Sequence, residues 1–288
     1  MRSKLFVPGV RPELFAKALA GDADALSFDL EDSVPESRKD EARANVSAFV
    51  QSPAVAAAAK LIVVRVNGLE TPHLQADLAA VARAGVALIN LPKVESAQDV
   101  HAAVAMLERA EADNGVTTPI RLLANIETPR GLRLAAEIAA AHPRIAGLQV
   151  GMADLFEPFG IDRHDPANVH ATLYAIRMAA AEAGVFAWDA AFADVEDAEG
   201  FRAEAGMARR LGYVGKSCIH PRQVALANDV FKPDAEEIAS ARRIVAAAQQ
   251  AGDAGRGAFL VDGRMVDLPF LKRAEALLAS LDSNASDS

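Results

Sequence analysis

The sequence predicts a (β/α)8 TIM barrel followed by a C-terminal lid or arm segment. Short apolar runs alternate with Ala-rich helical stretches, and each of eight runs is followed by a helix. The runs are almost continuously apolar, which is typical of parallel strands buried on both faces. The length of 288 residues suits one barrel of ordinary size. An open doubly wound sheet is the alternative, but no Gly-rich dinucleotide motif follows the first strand.

The order of elements supports this fold class. The predicted strands are residues 4–7, 25–29, 61–66, 87–91, 120–126, 147–150, 185–187 and 213–216. The main predicted helices are residues 12–20, 38–50, 74–84, 97–112, 132–141, 169–182 and 196–211. These helical segments combine strong helix formers with an apolar period of about 3.6 residues, so they can serve as the crossovers that parallel strands require.

The C-terminal part of the chain does not continue the alternation of strands and helices. We expect the barrel to occupy residues 1–233, and a C-terminal helical extension and lid to occupy residues 234–288. A helix at about 235–251 leads into the Gly-rich segment 252–257, then a short apolar piece, a turn and a last helix to about 281. Glycines before a compact hairpin-like module predict a hinge and a lid or partner-contacting arm.

Composition and charge exclude several classes of protein. The net charge of −9 argues against a general surface for nucleic acid or anionic membrane. No apolar stretch reaches the roughly 20 residues of a membrane span, and the N-terminus lacks the apolar region of a signal peptide. We therefore expect a cytoplasmic protein. The single cysteine, Cys218, excludes an intramolecular disulfide and is expected to be a buried small residue.

Polar residues follow strand after strand. In a parallel barrel the carboxyl ends of the strands all face one rim, where such enzymes place their chemistry. These polar residues are Asp29, Glu31, Asp32, Arg65, Asn67, Lys93, Asn125, Glu127, Asp154, Asp189, Lys216, Ser217 and His220. Solvation of loops alone does not explain so many charged and amide side chains at one rim.

Glu127 and Asp154 are the most informative pair of these residues. They are separated by about one βα unit, so they are expected on neighbouring strands, where they could share a ligand. Two carboxylates without His or Cys favour Mg²⁺, which one or two carboxylates hold together with water and substrate oxygens. The alternative is that both acids cap the following helices or pair with Arg and Lys.

Arg65 interrupts a buried apolar strand, where an arginine is costly unless it is paired or directed at a cleft. Its planar fork suits a substrate carboxylate. The alternative is an internal salt bridge with Asp29, Glu31 or Asp32, and both interpretations can hold together.

Basic residues after the first two strands offer a second ligand contact. Arg11, Lys17, Lys39 and Arg43 could form a phosphate-binding patch, although each one alone is expected to be a solvated helix charge.

Several motifs, taken in order, resemble the citrate lyase β-subunit-like family, which includes malyl-CoA, β-methylmalyl-CoA and citramalyl-CoA lyases. The resemblance runs from residue 2 to about residue 280. The motifs are RSKLFVPG (2–9), DLEDSV (29–34), RVN (65–67), LPK (91–93), IET (126–128), GMADL (151–155), GKSCIHPRQ (215–223) and DGRMVDLP (262–269).

The resemblance implies a (β/α)8 barrel, a homotrimer and Mg²⁺-dependent cleavage or formation of a carbon–carbon bond in a 3-hydroxyacyl-CoA thioester. It also implies a role for each matching residue: Glu127 and Asp154 would bind Mg²⁺, Arg65 would hold the substrate carboxylate, Arg11 and Lys17 would contact coenzyme A, and Asp267 would lie on a segment that closes over a neighbouring subunit's active site.

Two further roles are hypotheses of our own. Asp267 is the candidate base, because closure of the lid would desolvate it and raise its pKa. Asp29, Glu31 and Asp32 would order Arg65, the loop lysines and the waters on the metal.

The substrate and the reaction stay open at this stage. The bulky stretch after Asp154 could reshape the acyl pocket. A citrate lyase β subunit acting on an acyl carrier, a malyl-CoA thioesterase, a malate-synthase-like enzyme and a non-catalytic binding barrel are the alternatives.

Overall fold

Eight parallel strands form the wall of a barrel in which strands β1 to β7 follow one another in chain order and β8 lies beside β1. The computed structural model describes residues 1–253 and 258–285. The strands are β1 (Ser3–Pro8), β2 (Ala25–Asp29), β3 (Leu61–Arg65), β4 (Leu88–Leu91), β5 (Arg121–Ile126), β6 (Ile145–Val150), β7 (Phe186–Trp188) and β8 (Lys216–Cys218). The predicted barrel is confirmed.

Helices connect the strands. Those up to Phe231 are α1 (Phe15–Ala20), α2 (Lys39–Val50), α3 (Pro53–Ala56), α4 (Leu74–Val81), α5 (Ala97–Asp113), α6 (Pro129–Arg133), α7 (Ala135–Ala140), α8 (Met152–Phe156), α9 (Pro166–Glu182), α10 (Ala198–Leu211) and α11 (Pro221–Phe231). Single 3-10 turns lie at Pro12–Leu14, Glu36–Arg38 and Glu157–Phe159. The helix predicted at 132–141 is interrupted at Leu134, whose φ of −104° and ψ of 14° fall outside the helical range.

Strand β8 begins later than predicted. The sequence pattern placed it at residues 213–216, whereas it runs from Lys216 to Cys218 because these residues pair with Ser3 to Leu5 of β1. Tyr213 is instead buried after α10, where its hydroxyl donates to the Leu173 carbonyl at 2.8 Å. A parallel bridge between Asp189 and Lys216 joins the β7 side of the wall to β8.

Alternation along β2 shows how the wall directs side chains. Phe28 faces outward, where its ring packs against Phe15 of α1 and Phe49 of α2 with centroid separations of 4.8 and 5.3 Å. Successive side chains of a strand point to opposite faces, so Ser27 and Asp29 face the barrel interior. Asp29 stands opposite Arg65 in the register of β2 and β3, which brings the two side chains to the same end of the interior.

Contacts divide the chain into two compact units, Met1–Phe231 and a second unit that begins at Lys232. The second unit contains helix α12 (Ala235–Asp253), an antiparallel hairpin of β9 (Phe259–Val261) and β10 (Arg264–Val266), and helix α13 (Leu268–Ala285). The Gly-rich segment expected at 252–257 lies mostly outside the described residues. Across 1–253 and 258–285, no helix is long and apolar enough to cross a membrane.

Candidate active site

Arg65 and the acidic residues after β2 form one ion-pair cluster at the rim. Asp29 accepts two hydrogen bonds from the guanidinium, from Nε at 2.7 Å and from Nη2 at 2.8 Å. Glu31 Oε2 lies 2.8 Å from Nη1 without hydrogen-bond alignment, and the half-exposed Asp32 lies 3.6 Å from the same nitrogen. The structure therefore contains the internal salt bridge that the sequence left as an alternative for Arg65.

The charge states in this cluster follow from these contacts. Burial alone would raise the pKa of Asp29, but Arg65 overcomes this effect and holds the pKa below its usual value. Burial would lower the pKa of Arg65, and Asp29 and Glu31 raise it instead. A guanidinium has five N–H groups, so Nη1 and Nη2 keep donors beyond these contacts. Arg65 can be held by Asp29 and still offer donors to a substrate carboxylate.

Glu127 lies at the junction between β5 and α6 and is only 2% exposed. Thr128, rather than Glu127, caps the helix, because its hydroxyl accepts from the Gly131 N–H at 3.0 Å. The Glu127 carboxylate accepts the Lys93 backbone N–H at Oε1, 2.7 Å away, and the Asn125 side-chain amide at Oε2. Within the described residues, Glu127 therefore neither caps the following helix nor hydrogen-bonds an Arg or Lys side chain, the two alternatives to metal binding that the sequence left open.

Asp154 lies in the first turn of α8, after β6, and is partly exposed. Burial, with the negative charges of Glu31 and Asp154, raises the pKa of Glu127 to about 8. Gly151 permits the close approach of these elements, because a Cβ on it would lie 2.3 Å from Glu127 Oε2 and 2.6 Å from Glu127 Cβ. The two predicted metal ligands therefore come within electrostatic reach of each other.

The donor set fits a hard divalent cation. Burial and the carboxylates of Glu31 and Asp154 keep the pKa of Glu127 raised although Arg65 lowers it, so the nearby positive charge is insufficient and a bound cation would add to it. Across the described parts of the chain, no group of three or more His, Cys, Asp and Glu side chains is placed to hold a metal. Two carboxylates fit Mg²⁺, which keeps several waters or substrate oxygens in its shell, better than a metal that needs an all-protein cage.

A small pocket of about 240 Å³ opens beside Arg65. Its lining includes Phe6, Asp29, Arg65, Ala191 and Ile219. The Phe6 ring lies 5.0 Å from the guanidinium carbon, so it covers one face of Arg65. The volume is below the roughly 300 Å³ at which pockets begin to hold drug-sized ligands, and it suits a short acid.

A larger groove of about 510 Å³ lies between α1 and α11 and is lined by Lys17, Leu14, Ile219 and His220, among others. Lys17 is exposed, as is Arg11, which forms a surface ion pair with Glu13. Both residues lie between β1 and β2, as the sequence predicted.

Lys39 and Arg43 do not belong to a phosphate-binding patch. The buried Lys39 ammonium donates to the carbonyls of Leu30 and Glu31, both at 2.8 Å, and to Asn67 Oδ1 at 2.6 Å, which uses its three donors. Arg43 bonds Asp40 and the fully buried Asp77. Lys39 therefore joins the loops after β2 and β3, and Arg43 joins α2 to α4.

Asp189 and Lys216 were expected among the polar residues of the rim, but they face outward from the barrel wall. The Lys216 ammonium donates to Asp189 Oδ2 at 2.7 Å and to Glu204 Oε1 on α10 at 2.6 Å. Both residues are completely buried. They therefore join the wall to a helix and are not available to a ligand. Cys218 is also completely buried, and burial raises the pKa of its thiol to about 12.

Asp267 belongs to the second unit of the chain. It directly precedes α13, and its backbone carbonyl accepts the Leu271 N–H at 3.1 Å. Its Oδ1 is buried, and no hydrogen-bond partner is present for it among residues 1–253 and 258–285. An unpaired carboxylate oxygen is free to accept a proton.

The sequence interpretation missed roles for two lysines. Lys93 donates from its backbone to Glu127 and from its ammonium to Glu31 Oε1 at 2.9 Å. Lys4 is completely buried inside the barrel, where its ammonium contacts Gln149 and lies over the Trp188 ring. Burial lowers the pKa of Lys4 well below its usual value, and Arg65 adds to this effect. For Lys4 the signal in the sequence was a charged residue within an apolar run, and Lys93 was placed at the rim without a specific role.

Comparison with known proteins identifies the family. Residues 2–221 match the family described as HpcH/HpaI aldolase/citrate lyase, and this chain belongs to it. It is 38% identical to the L-malyl-CoA/beta-methylmalyl-CoA lyase of Cereibacter sphaeroides, in an alignment that covers 96% of this chain and 93% of that protein. It is 36% identical to the citrate lyase subunit beta of Leuconostoc mesenteroides subsp. cremoris, with coverages of 98% and 94%.

Solved structures are also similar to this chain over nearly its whole length. The protein CitE from Mycobacterium tuberculosis, crystallised with magnesium, acetoacetate and coenzyme A, is 35% identical and superposes with a TM-score of 0.74. The match covers 96% of this chain and 97% of that one. A citrate lyase from Burkholderia xenovorans superposes with a TM-score of 0.84 at 21% identity, which supports the fold alone.

Proposed function

We propose that this protein is a Mg²⁺-dependent carbon–carbon lyase that cleaves a 3-hydroxyacyl-CoA thioester, of the malyl-CoA or citramalyl-CoA type, into acetyl-CoA and a 2-oxo acid. One observation carries the proposal: Glu127 and Asp154 lie close together, near the Arg65 guanidinium, which keeps N–H donors for a ligand. Relatives that are malyl-CoA lyases, and the magnesium and coenzyme A bound to a related structure, support it.

Each barrel residue has a defined task in this proposal. Glu127 and Asp154 would hold the ion, and Asn125 and the Lys93 N–H would fix the Glu127 carboxylate. When bound, Mg²⁺ would stabilise the negative charge that develops on the substrate oxygens during cleavage. Arg65, held by Asp29, would bind the substrate carboxylate and fix its orientation.

Cleavage also needs a base. The base removes the proton of the 3-hydroxyl group, the carbinol carbon becomes the carbonyl of the oxo acid, and the electron pair of the broken bond passes to the thioester as an enolate. Protonation of that enolate carbon gives acetyl-CoA. We assign the base to Asp267, whose unpaired Oδ1 can accept the proton.

The thioester half of the substrate needs a longer site than the pocket beside Arg65. The groove of about 510 Å³ has the size for part of a coenzyme A chain, and Lys17 lines it while Arg11 lies nearby in sequence. Exposed cations suit the coenzyme A phosphates. We assign Arg11 and Lys17 to this contact, and we expect a homotrimer that works in the cytoplasm.

A citrate lyase β subunit is the second candidate, because a relative of that name is 36% identical over nearly the whole chain. Such a subunit would release oxaloacetate from a citryl thioester on an acyl carrier. A thioesterase or malate-synthase-like reaction would instead liberate free coenzyme A.

Turnover of malyl-CoA and citramalyl-CoA tests the proposal directly. We expect Mg²⁺-dependent formation of acetyl-CoA with glyoxylate or pyruvate, and loss of that activity with EDTA. Acetyl-CoA, free coenzyme A and oxo acid should be measured in the same samples. Free coenzyme A in place of acetyl-CoA would indicate a hydrolase or synthase. No cleavage of either thioester would contradict the proposal, and citryl thioesters on an acyl carrier would then be tested.

Replacement of Asp267 with asparagine tests the base. We expect kcat to fall about 10²- to 10⁴-fold, since a positioned general base contributes that much. Mg²⁺ binding to the protein without substrate should change less than about 2-fold, because Asp267 is not one of the proposed metal ligands. Asp262→Asn is the matched control: Asp262 lies in the hairpin turn of the same unit with a φ of 51°, which asparagine tolerates. That control should keep its activity. Near-normal turnover of the Asp267→Asn protein would show that another group is the base.

A further inference from the structure

Lys93 has a backbone conformation that its place in the fold does not require. Its φ is 51°, in the left-handed region that residues other than glycine rarely adopt. Across residues 1–253 and 258–285, the other non-glycine residue with a positive φ is Asp262, which occupies a tight hairpin turn where such values are expected. Lys93 lies between a parallel strand and a helix, so its conformation needs another reason.

The neighbouring residues fix Lys93 in place. The Val94 N–H donates to the Asn125 carbonyl on β5 at 3.4 Å. A Cβ on Gly131 of α6 would lie 2.6 Å from the Val94 carbonyl oxygen, so the helix packs directly on this segment. The chain after β4 is therefore held against β5 and α6, where strain at one residue can persist.

The conformation lets one residue hold two carboxylates. The Lys93 N–H reaches Glu127 Oε1 at 2.7 Å, while its ammonium reaches Glu31 Oε1 at 2.9 Å and lies 3.9 Å from Asp32. Glu31 in turn contacts Arg65. Lys93 thus links the proposed metal ligand to the proposed carboxylate-binding arginine.

We propose that Lys93 is a positioning residue that sets metal affinity through its left-handed backbone and orients Arg65 through its ammonium. This inference rests on the proposed function and deepens it. The N–H fixes the rotation of a carboxylate that Glu31 and Asp154 would otherwise repel. Each oxygen of Glu127 keeps a lone pair for a cation while it accepts one hydrogen bond.

Two substitutions of similar size separate the backbone from the ammonium. Lys93→Met and Lys93→Ile both remove the charge, but isoleucine is β-branched and disfavours a positive φ more strongly than methionine does. We expect Lys93→Met and Lys93→Gly to bind Mg²⁺ within about 3-fold of wild type, and Lys93→Ile to bind it about 10- to 100-fold more weakly. Lys93→Arg, which keeps the charge, should recover more kcat/KM than Lys93→Met.

Binding should be measured on the protein without substrate, by calorimetry with Mg²⁺ and by electron paramagnetic resonance with Mn²⁺. Gly184→Val is the control for strain in general, because Gly184 has a φ of 68° and a Cβ there would meet no atom within 4 Å. It should lower thermal stability and leave metal affinity unchanged.

Four results would overturn the inference. Equal Mg²⁺ affinity of Lys93→Met and Lys93→Ile would exclude a role for the backbone. A loss of Mg²⁺ affinity in Gly184→Val as large as that in Lys93→Ile would exclude it as well. Wild-type protein without saturable binding would overturn the metal proposal together with this one. Saturable wild-type binding with no difference among the variants would overturn the role of Lys93 alone.

Discussion

Replacement of Glu127 with glutamine is expected to abolish the lyase activity and to make the metal-free protein more stable. Glutamine keeps an oxygen for the Lys93 N–H but removes the charge that a metal ion needs. Loss of several kcal/mol of transition-state stabilisation corresponds to a decrease in kcat/KM of roughly 10³-fold or more. Asn125 Oδ1 is buried without a partner, so a rotated Asn125 amide can accept from the new side-chain amide at position 127.

The gain in stability has a definite pH dependence. The folded-state pKa of Glu127 is about 8, above the value of 4.5 in an unfolded chain, so the protonated form is favoured by folding. The stability of the metal-free wild type should therefore fall as pH rises from about 5 to about 8, by on the order of a few kcal/mol. The advantage of Glu127→Gln should grow over the same range and level off above it. Thermal unfolding in EDTA at several pH values measures this difference.

Glu111→Gln is the matched control for this experiment. Glu111 is also a buried glutamate, but its carboxylate accepts from the Ile120 N–H at 2.7 Å and from Arg144 at 2.6 Å. Neutralising it should lower stability, and it should leave Mg²⁺ binding unchanged. If the metal-free Glu127→Gln protein is less stable than wild type at every pH measured, the ionised Glu127 carboxylate does not destabilise the fold and this prediction is wrong.

The strands, and the polar residues that follow them, could be predicted from the sequence to a large extent. The apolar runs predict seven strands closely, because burial on both faces demands continuous apolar residues. The polar residues that end those runs, such as Asp29, Arg65 and Glu127, could therefore be assigned to the rim. Strand β8 was misplaced because Val214 and Tyr213 are as apolar as a strand requires, although Tyr213 packs beside α9.

The direction and partner of a charged side chain were harder to predict. Lys39 begins a helix with the charged neighbours Arg38, Asp40 and Glu41, a pattern typical of a solvated turn, yet its ammonium is bound by carbonyls of the preceding loop. Lys216 follows an apolar run and faces outward only because of the register of β8. Both outcomes depend on tertiary contacts that no local pattern contains.

The conformation of Lys93 could not be predicted at all. Glycine or asparagine would have indicated a positive φ, and lysine carries no such signal. The relation of Asp267 to the barrel is equally absent from local patterns, because Asp267 belongs to a different unit of the chain. The roles proposed for Lys93 and Asp267 therefore need experiments to establish them.

Replacement of Arg65 with methionine is expected to damage folding and activity together, and a second substitution should separate the two effects. Arg65→Met leaves Asp29, which is 2% exposed, without its bidentate partner. Breaking a buried ion pair in this way costs about 3–5 kcal/mol. Activity should fall by at least about 10²-fold, because the donors for a substrate carboxylate are lost as well.

The double variant Arg65→Met, Asp29→Asn removes the unpaired charge. Since replacing both members of a buried pair is often neutral, we expect most of the lost stability to return. Activity should not return, because asparagine at position 29 restores nothing for the substrate. The wild type, the two single variants and the double variant form a double-mutant cycle. Urea unfolding gives the free energy of unfolding of each protein, and turnover of the preferred thioester is measured on the same preparations.

Arg144→Met gives the matched control, since Arg144 is a similarly buried arginine whose partner is Glu111. Its loss should destabilise the protein without lowering turnover per folded molecule. Recovery of turnover in the Arg65→Met, Asp29→Asn protein would show that Arg65 serves the fold alone, and the substrate carboxylate would then need another cation. Recovery of stability without recovery of turnover would show that Arg65 has two roles. It stabilises the fold through its ion pair with Asp29, and it binds the substrate carboxylate.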